Sequence, residues 1–263
     1  PAGMADTLGQ LAGLAATTEQ WESDILPEHL DRPHREWLDQ ITLSGEIVWL
    51  RLWGPWRGPL SKLPVSFVPR KDLHHWLEVP LHRAQTEDLG ANARALYEIL
   101  EERGAIFPTD LQSQSALLPS HFEEGLAELV GLGLLSCDSF AAMRQLAIAP
   151  SKRRFPLFAV GRWSLLPLPP AATRASDAAI ETVANALLNR FGVVSHALLQ
   201  SHKVQVPWRL LLRTLRGMEL RGEVRGGRFV NGWAGEQYAL PNAVAELRRI
   251  ARQGTTAPTQ PRP

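Results

Sequence analysis

The chain has 263 residues, 44% of them hydrophobic and 21% charged, enough to bury one large core or two to three small ones. It has no apolar run of membrane-spanning length and no signal-type N-terminus, and its single cysteine, Cys137, excludes an internal disulfide framework and a cysteine-based zinc site, so a cytoplasmic protein stabilised by packing is expected. The net charge of +1 conceals a division: residues 1–143 carry −11 and residues 144–263 carry +12, so either the second part meets a polyanion or the two parts attract each other.

In chain order, residues 1–45 form an acidic segment with helical spacing of Trp21, Ile25 and Leu26, then of Trp37, Leu38 and Ile41, with Pro27 and Pro33 expected to break between short helices. Residues 46–83 turn to β composition. The runs 47–53 and 63–68 flank a Gly/Pro loop and predict a strand pair, after which Leu73, Trp76 and Leu77 begin another helix.

Residues 84–149 predict a helix over 91–103 stopped by Gly104, a short helix over 109–116, a longer one from Pro119, and a strand at 134–138. A Pro-rich linker is expected over 150–175. Residues 176–253 then repeat the order: a helix capped by Ser176 and running to Arg190, a short helix over 195–200, a third from Pro207 to about Leu220, and two strands around a Gly226-Gly227 turn. Three helices followed by a β-wing is the winged helix-turn-helix order. The expected fold class is therefore α+β, with tandem winged-helix domains preceded by a small β-containing segment, and a disordered tail over 254–263 whose linker composition suits a piece of a longer chain.

At about 100° per residue, Arg209, Arg213 and Arg216 share one face of the third helix of the basic copy, opposite Leu211, Leu212, Leu215 and Met218. Guanidinium groups in such a row suit phosphates or guanine edges in a major groove, and Arg221, Arg225 and Arg228 extend the row onto the wing. The bland alternative is a solvated face. In the acidic copy the corresponding helix carries Glu123, Glu124 and Glu128, which would repel phosphate, so that copy is expected to hold structure or meet protein.

Other chemistry is thin. His74, His75 and His82 have no carboxylate or thiol at metal spacing, and the Gln112-Ser113-Gln114 run is a three-residue polar pattern on a solvated helix. Tryptophans 49, 53, 56, 76 and 163 are expected in the core rather than stacked on bases, yet Trp49, Trp53 and Trp56 exceed what a lone strand pair covers, which predicts a protein surface against them. The chain has no phosphate-cradling Gly-x-x-x-x-Gly-Lys-Ser/Thr loop.

Several runs together carry a resemblance. Asp39 to Trp49 with Pro64 to Leu73, Glu123 to Leu135 with Asp138-Ser139-Phe140, Gly161-Arg162-Trp163, Asn189 to Ser195, and Arg225 to Val230 with Gly235 to Pro241 resemble the C-terminal region of the large helicase-related (Lhr) proteins of helicase superfamily 2. The resemblance covers most of residues 19–250. It implies a DNA-repair-linked, ATP-dependent 3′-to-5′ helicase whose C-terminal part is built of tandem winged helices and a β-barrel, is similar to glycosylase-type winged-helix proteins, and is associated with oligomer assembly and base excision. The motor and barrel segments are absent from this sequence, so ATP and magnesium belong to the parent's motor domains, and no cofactor, metal or catalytic residue is expected in the chain itself. The partners so implied are DNA or an RNA–DNA hybrid, the motor domains of the same parent chain and a further copy of the chain. A glycosylase module and an oligomerisation block stand as alternatives to a nucleic-acid-binding and scaffolding module.

Overall fold

A computed structural model describes residues 2–79, 86–148, 152, 161–170, 174–202 and 205–254. Half of the expected 150–175 linker, the 255–263 part of the tail and His82 lie outside the described residues. The chain divides into two compact units, residues 1–179 and residues 180–263.

The first unit opens with α1 (Ala2–Gln10), then a continuous helical run made of α2 (Thr18–Gln20), a wider turn over Trp21–Ile25 and α3 (Leu26–His29), then α4 (Arg35–Leu43). Strands β1 (Ile47–Leu50) and β2 (Ser66–Pro69) pair antiparallel, with Val48 opposite Val68. Pro27 was expected to break the helix and does not. The turn before it is widened to an i→i−5 ladder, the Leu26 N–H bonding to the Trp21 carbonyl, and this leaves room for a residue with no N–H to donate.

Residues 2–45 and 46–79, on either side of the expected boundary at the change in composition, pack together. The Gly13 N–H donates to the Phe67 carbonyl at 3.1 Å, and Ala16 bridges Val65. Three helices thus precede a hairpin here as well, so the strand pair expected ahead of the winged helices has helices of its own.

The next copy comprises α5 (Leu73–Glu78) as a connector, then α6 (Ala91–Arg103), α7 (Pro108–Ser115), α8 (Pro119–Gly131) and β3 (Leu135–Cys137), followed by α9 (Phe140–Ala147) and β4 (Trp163–Leu165). Strand β4 pairs antiparallel with β3, although it lies inside the stretch expected as linker; the fully buried Trp163 ring draws it into the core. The Ser136 hydroxyl donates to the Trp49 carbonyl at 2.6 Å, which ties the two hairpins.

One continuous apolar core runs from Met4 to Trp163 and takes in Trp49 and Trp163, with Trp56 packed against it, while Trp53 and Trp76 are buried edge-to-face against each other. Trp49 is fully buried, edge-on to Phe140 and Trp163, while Trp53 is 9% exposed and donates from Nε1 to the Gly13 carbonyl at 2.8 Å. Trp56 is half-buried beneath the Arg51 guanidinium. The external protein surface expected against these rings is therefore unnecessary, since α9 and β4 cover Trp49, α5 and the Gly13 turn cover Trp53, and the end of α8 meets Trp56. Tertiary packing supplied what a hairpin viewed alone lacks.

The second unit takes up α10 (Asp177–Phe191), whose Ala179 N–H bonds to the Ser176 hydroxyl as expected of a cap. It continues with β5 (Val193–Ser195), α11 (His196–Ser201), α12 (Trp208–Leu220), β6 (Arg225–Gly227), β7 (Gln237–Ala239) and α13 (Pro241–Gly254). The sheet order is β5-β7-β6, antiparallel throughout.

Here the Gly226-Gly227 pair is strand, not turn, and the wing loop is 228–236. A Cβ at Gly226 would come within 2.6 Å of the Glu219 carboxylate, and one at Gly227 within 3.0 Å of the Phe229 ring, so both glycines serve close approach on the two faces of β6. Helix α13, unanticipated, buries Val244 against the sheet and packs Leu247 beside it.

Candidate nucleic-acid interface

Helix α12 starts after Pro207, whose fixed φ suits a helix entry, and it buries Leu211, Leu215 and Met218. Leu212, expected on the same side, is only half-buried. The opposite face carries Arg209, Arg213 and Arg216, all exposed, and Arg221, Arg225 and Arg228 are exposed beyond it. All six residues expected at the site therefore lie on the surface of one unit, along the third helix, the turn that follows it and the wing.

The six are not equivalent. Arg216 Nη2 lies 2.8 Å from Glu236 Oε1, and Glu236 Oε2 accepts from the Tyr238 hydroxyl at 3.1 Å. The hydrogen bond between Arg216 and Glu236 holds the Glu236 carboxyl below its ordinary range and raises Arg216. Arg221 reaches Glu223 and Glu181, each at 2.6 Å, and lowers Glu223 in the same way. Both guanidiniums are thus already neutralised by carboxylates of their own unit. Among the described residues, Arg209, Arg225 and Arg228 have no carboxylate within ion-pair distance.

Counting charges by segment concealed this pairing, because Glu236 and Glu181 stand 20 and 40 residues from their partners. A further functional pair also escaped the pattern: Glu219, one turn beyond Arg216, accepts the Gly226 N–H at 2.9 Å and fastens β6 to α12.

The third helices of the first unit are engaged differently. On α8, Glu128 accepts the Gly90 N–H at 2.9 Å and Glu124 accepts from the Asn92 side chain at 3.3 Å, so both carboxylates serve the N-terminus of α6. The end of α8 is closed by the loop between β1 and β2, where the Trp56 N–H meets the Gly131 carbonyl at 2.8 Å. On α4, Asp39 takes a forked contact from Arg144 of α9. Neither helix offers a cationic face.

Among the described residues no group of three or more His, Cys, Asp or Glu side chains is placed to hold a metal. His74 and His75 stack on each other with ring centroids 3.8 Å apart. Gln112 is half-buried and Gln114 exposed on α7. No helix among the described residues is long and apolar enough to cross a membrane.

Three helices and a β-hairpin, repeated along the chain, with one copy presenting an arginine-bearing third helix and wing, define a tandem winged-helix protein. Two family models agree with this: the large helicase-related protein winged-helix domain described as its third matches residues 1–70, and the one described as its fourth matches residues 173–259. The chain belongs to the large helicase-related (Lhr) family and corresponds to winged-helix domains of its C-terminal region. It is 24% identical to the Lhr helicase/uracil glycosylase of Escherichia coli K12, over 96% of this chain and 18% of that protein. To the Lhr helicase/probable uracil glycosylase of Mycolicibacterium smegmatis it is 25% identical, over 94% of this chain and again 18% of the relative. The chain therefore spans less than a fifth of the length of these curated relatives.

Proposed function

We propose that this chain is a nucleic-acid-binding and scaffolding module of an ATP-dependent, DNA-repair-linked 3′-to-5′ helicase, and that residues 180–254 carry the binding. The observation that supports this most directly is the contrast between third helices: α12 presents exposed arginines continuous with the wing, while α4 and α8 are acidic and bonded to their neighbours. Arg209, Arg213, Arg225 and Arg228 would meet phosphate oxygens or guanine edges, each cation releasing condensed counterions. Arg216 and Arg221 would act mainly through the carboxylates they hold. The first unit would serve as the scaffold between this surface and the motor domains of the same parent chain. ATP and magnesium would be held by those motor domains, the module itself needing neither, and the setting would be cytoplasmic.

The relatives' names also join helicase to uracil glycosylase. Base excision would call for a recessed acid or Gln beside aromatic walls that grip a flipped base. The groove of about 660 Å³ beside α8 places Glu123 and Glu124 among Leu60, Ala127, Leu146 and Ile148, which are aliphatic, so binding is the reading favoured for this segment. Titrating the chain with fluorescent duplex at several salt concentrations tests it: log affinity should fall linearly with log salt, and a flat response would overturn the reading.

A further inference from the structure

Gln237 is the first residue of the central strand of the second unit's sheet, opposite Ser195 on one side and Gly227 on the other. Its side chain is fully buried, and all four of its strongest hydrogen-bonding capacities are spent on one loop. Oε1 accepts the N–H groups of Phe229 and Val230, both at 2.8 Å, and Nε2 donates to the carbonyls of Val230 and Trp233 at 3.0 and 3.1 Å. Two N–H groups on one end and two carbonyls on the other admit a single orientation of the amide. The backbone of the wing loop is thereby fixed to β7.

The same strand is fixed to α12 from its other face. Side chains alternate along a strand, so Glu236 and Tyr238 point away from Gln237, and they meet Arg216 there. Strand β6 is held independently through the Gly226 N–H and Glu219. A rigid connection therefore runs from the loop through Gln237 and β7 to the helix, with Arg228 directly before the pinned Phe229 and Arg225 at the start of β6.

We propose that Gln237 is the positioning residue of this surface: by pinning the wing it sets Arg225 and Arg228 at a fixed separation from Arg209 and Arg213, which matches the surface to a duplex. The inference rests on the nucleic-acid-binding reading above. A duplex holds its phosphates at fixed separation, so it gains from cationic rows that are already in place. A single strand bends to reach either row alone and gains little from their rigidity.

The test uses the full chain, with anisotropy titrations of a short duplex and a single strand of the same sequence across salt. Arg225→Ala with Arg228→Ala should reduce the duplex salt slope by about 1.8, from about 0.9 per phosphate contact. Gln237→Leu should weaken duplex binding by about tenfold while changing single-strand binding by less than about twofold, as expected for lost preorganisation. In the Gln237→Leu background, the two arginine changes should cost the duplex little more, because their advantage depends on the pinned wing. Equal losses for both ligands, no loss, or full additivity would overturn the proposal.

Hydrogen exchange of the wild-type chain covers the case in which Gln237→Leu does not fold. Phe229 and Val230 amides should exchange well behind Asn231 and Gly232, and equal rates overturn the proposal. A wild-type chain that binds neither ligand overturns the binding reading itself, whereas binding that is indifferent to Gln237→Leu overturns only the positioning role.

Discussion

Arg216 of α12 and Glu236 at the end of the wing loop are joined at 2.8 Å, so the helix that carries the cationic row is also latched to the wing. Both side chains are more than half exposed, so the pair contributes little to stability, and its consequence is for charge. A guanidinium that already faces a carboxylate has less attraction left for a phosphate.

Removing Arg209 should therefore reduce the salt slope of duplex binding by about 0.9, whereas removing Arg216 should reduce it by distinctly less. Glu236→Gln should do the opposite, freeing Arg216 and tightening binding at low salt. Anisotropy titrations of the three variants check the order; equal slopes for Arg209→Ala and Arg216→Ala would show that the ion pair opens freely on the ligand.

Replacing Glu123, Glu124 and Glu128 by Gln should leave duplex affinity nearly unchanged, because Glu124 and Glu128 are bonded to the N-terminus of α6 and α8 presents no cationic row. Stability should change instead. Glu128 places a negative charge at the N-terminus of α6 through the Gly90 N–H, an interaction worth about 0.3–1 kcal/mol, so Glu128→Gln should lower the urea midpoint modestly. An affinity gain of the size produced at α12 would mean that α8 also meets nucleic acid.

The alternation of apolar and polar positions made the second and third helix sets readable almost residue by residue: the helix over 91–103 is α6, and Ser176 and Pro207 stand where caps and entries were expected. Local pattern did not disclose what depends on distant partners. Pro27 reads as a breaker unless the widened turn before it is known, and Gly226-Gly227 reads as a turn unless Glu219 and Phe229 are known to press on β6. The arginine row was legible as a face, but its division into engaged and available members follows from Glu236 and Glu181, which only folding brings near. Gln237 stood inside a recognisable run with nothing in its neighbours to mark its role.

Cys137 is buried, its Sγ taking the Ser139 N–H at 3.4 Å, and burial pushes its thiol up to about 12. At pH 8 the folded chain would hold about one thiolate in ten thousand, against roughly a quarter for an unfolded thiol with a pKa near 8.5. Iodoacetamide should therefore leave the native chain unlabelled at pH 8 and label it fully in denaturant. The raised value also sets a sign: the group's contribution to stability is complete below about 8.5 and is lost as pH climbs toward 12. Rapid native labelling at pH 8 would place Cys137 on an accessible surface.

Arg144 is a largely buried ionic tie of the first unit. Its side chain is 17% exposed, it forks onto Asp39 of α4 at 2.6 and 3.1 Å, and it also bonds Glu22, itself only 7% exposed, in the wide turn before Pro27. The guanidinium plane lies over Phe140, so one residue joins α9 to both acidic segments. Three charges drawn from water at one place are stable only together, and removing the cation leaves Asp39 without this partner and Glu22 with the exposed Arg35, 3.4 Å away. Arg144→Met, which keeps the apolar stem, should cost about 3 kcal/mol, near the lower end for breaking a buried pair. Adding Glu22→Gln and Asp39→Asn to it should restore much of that loss, because the orphaned charges, not the missing attraction, are the larger cost. Denaturant unfolding followed by tryptophan fluorescence, which reports the first unit's core through Trp49 and Trp163, would measure the cycle. If the three changes simply add, the carboxylates are hydrated and Arg144 contributes no more than a surface contact.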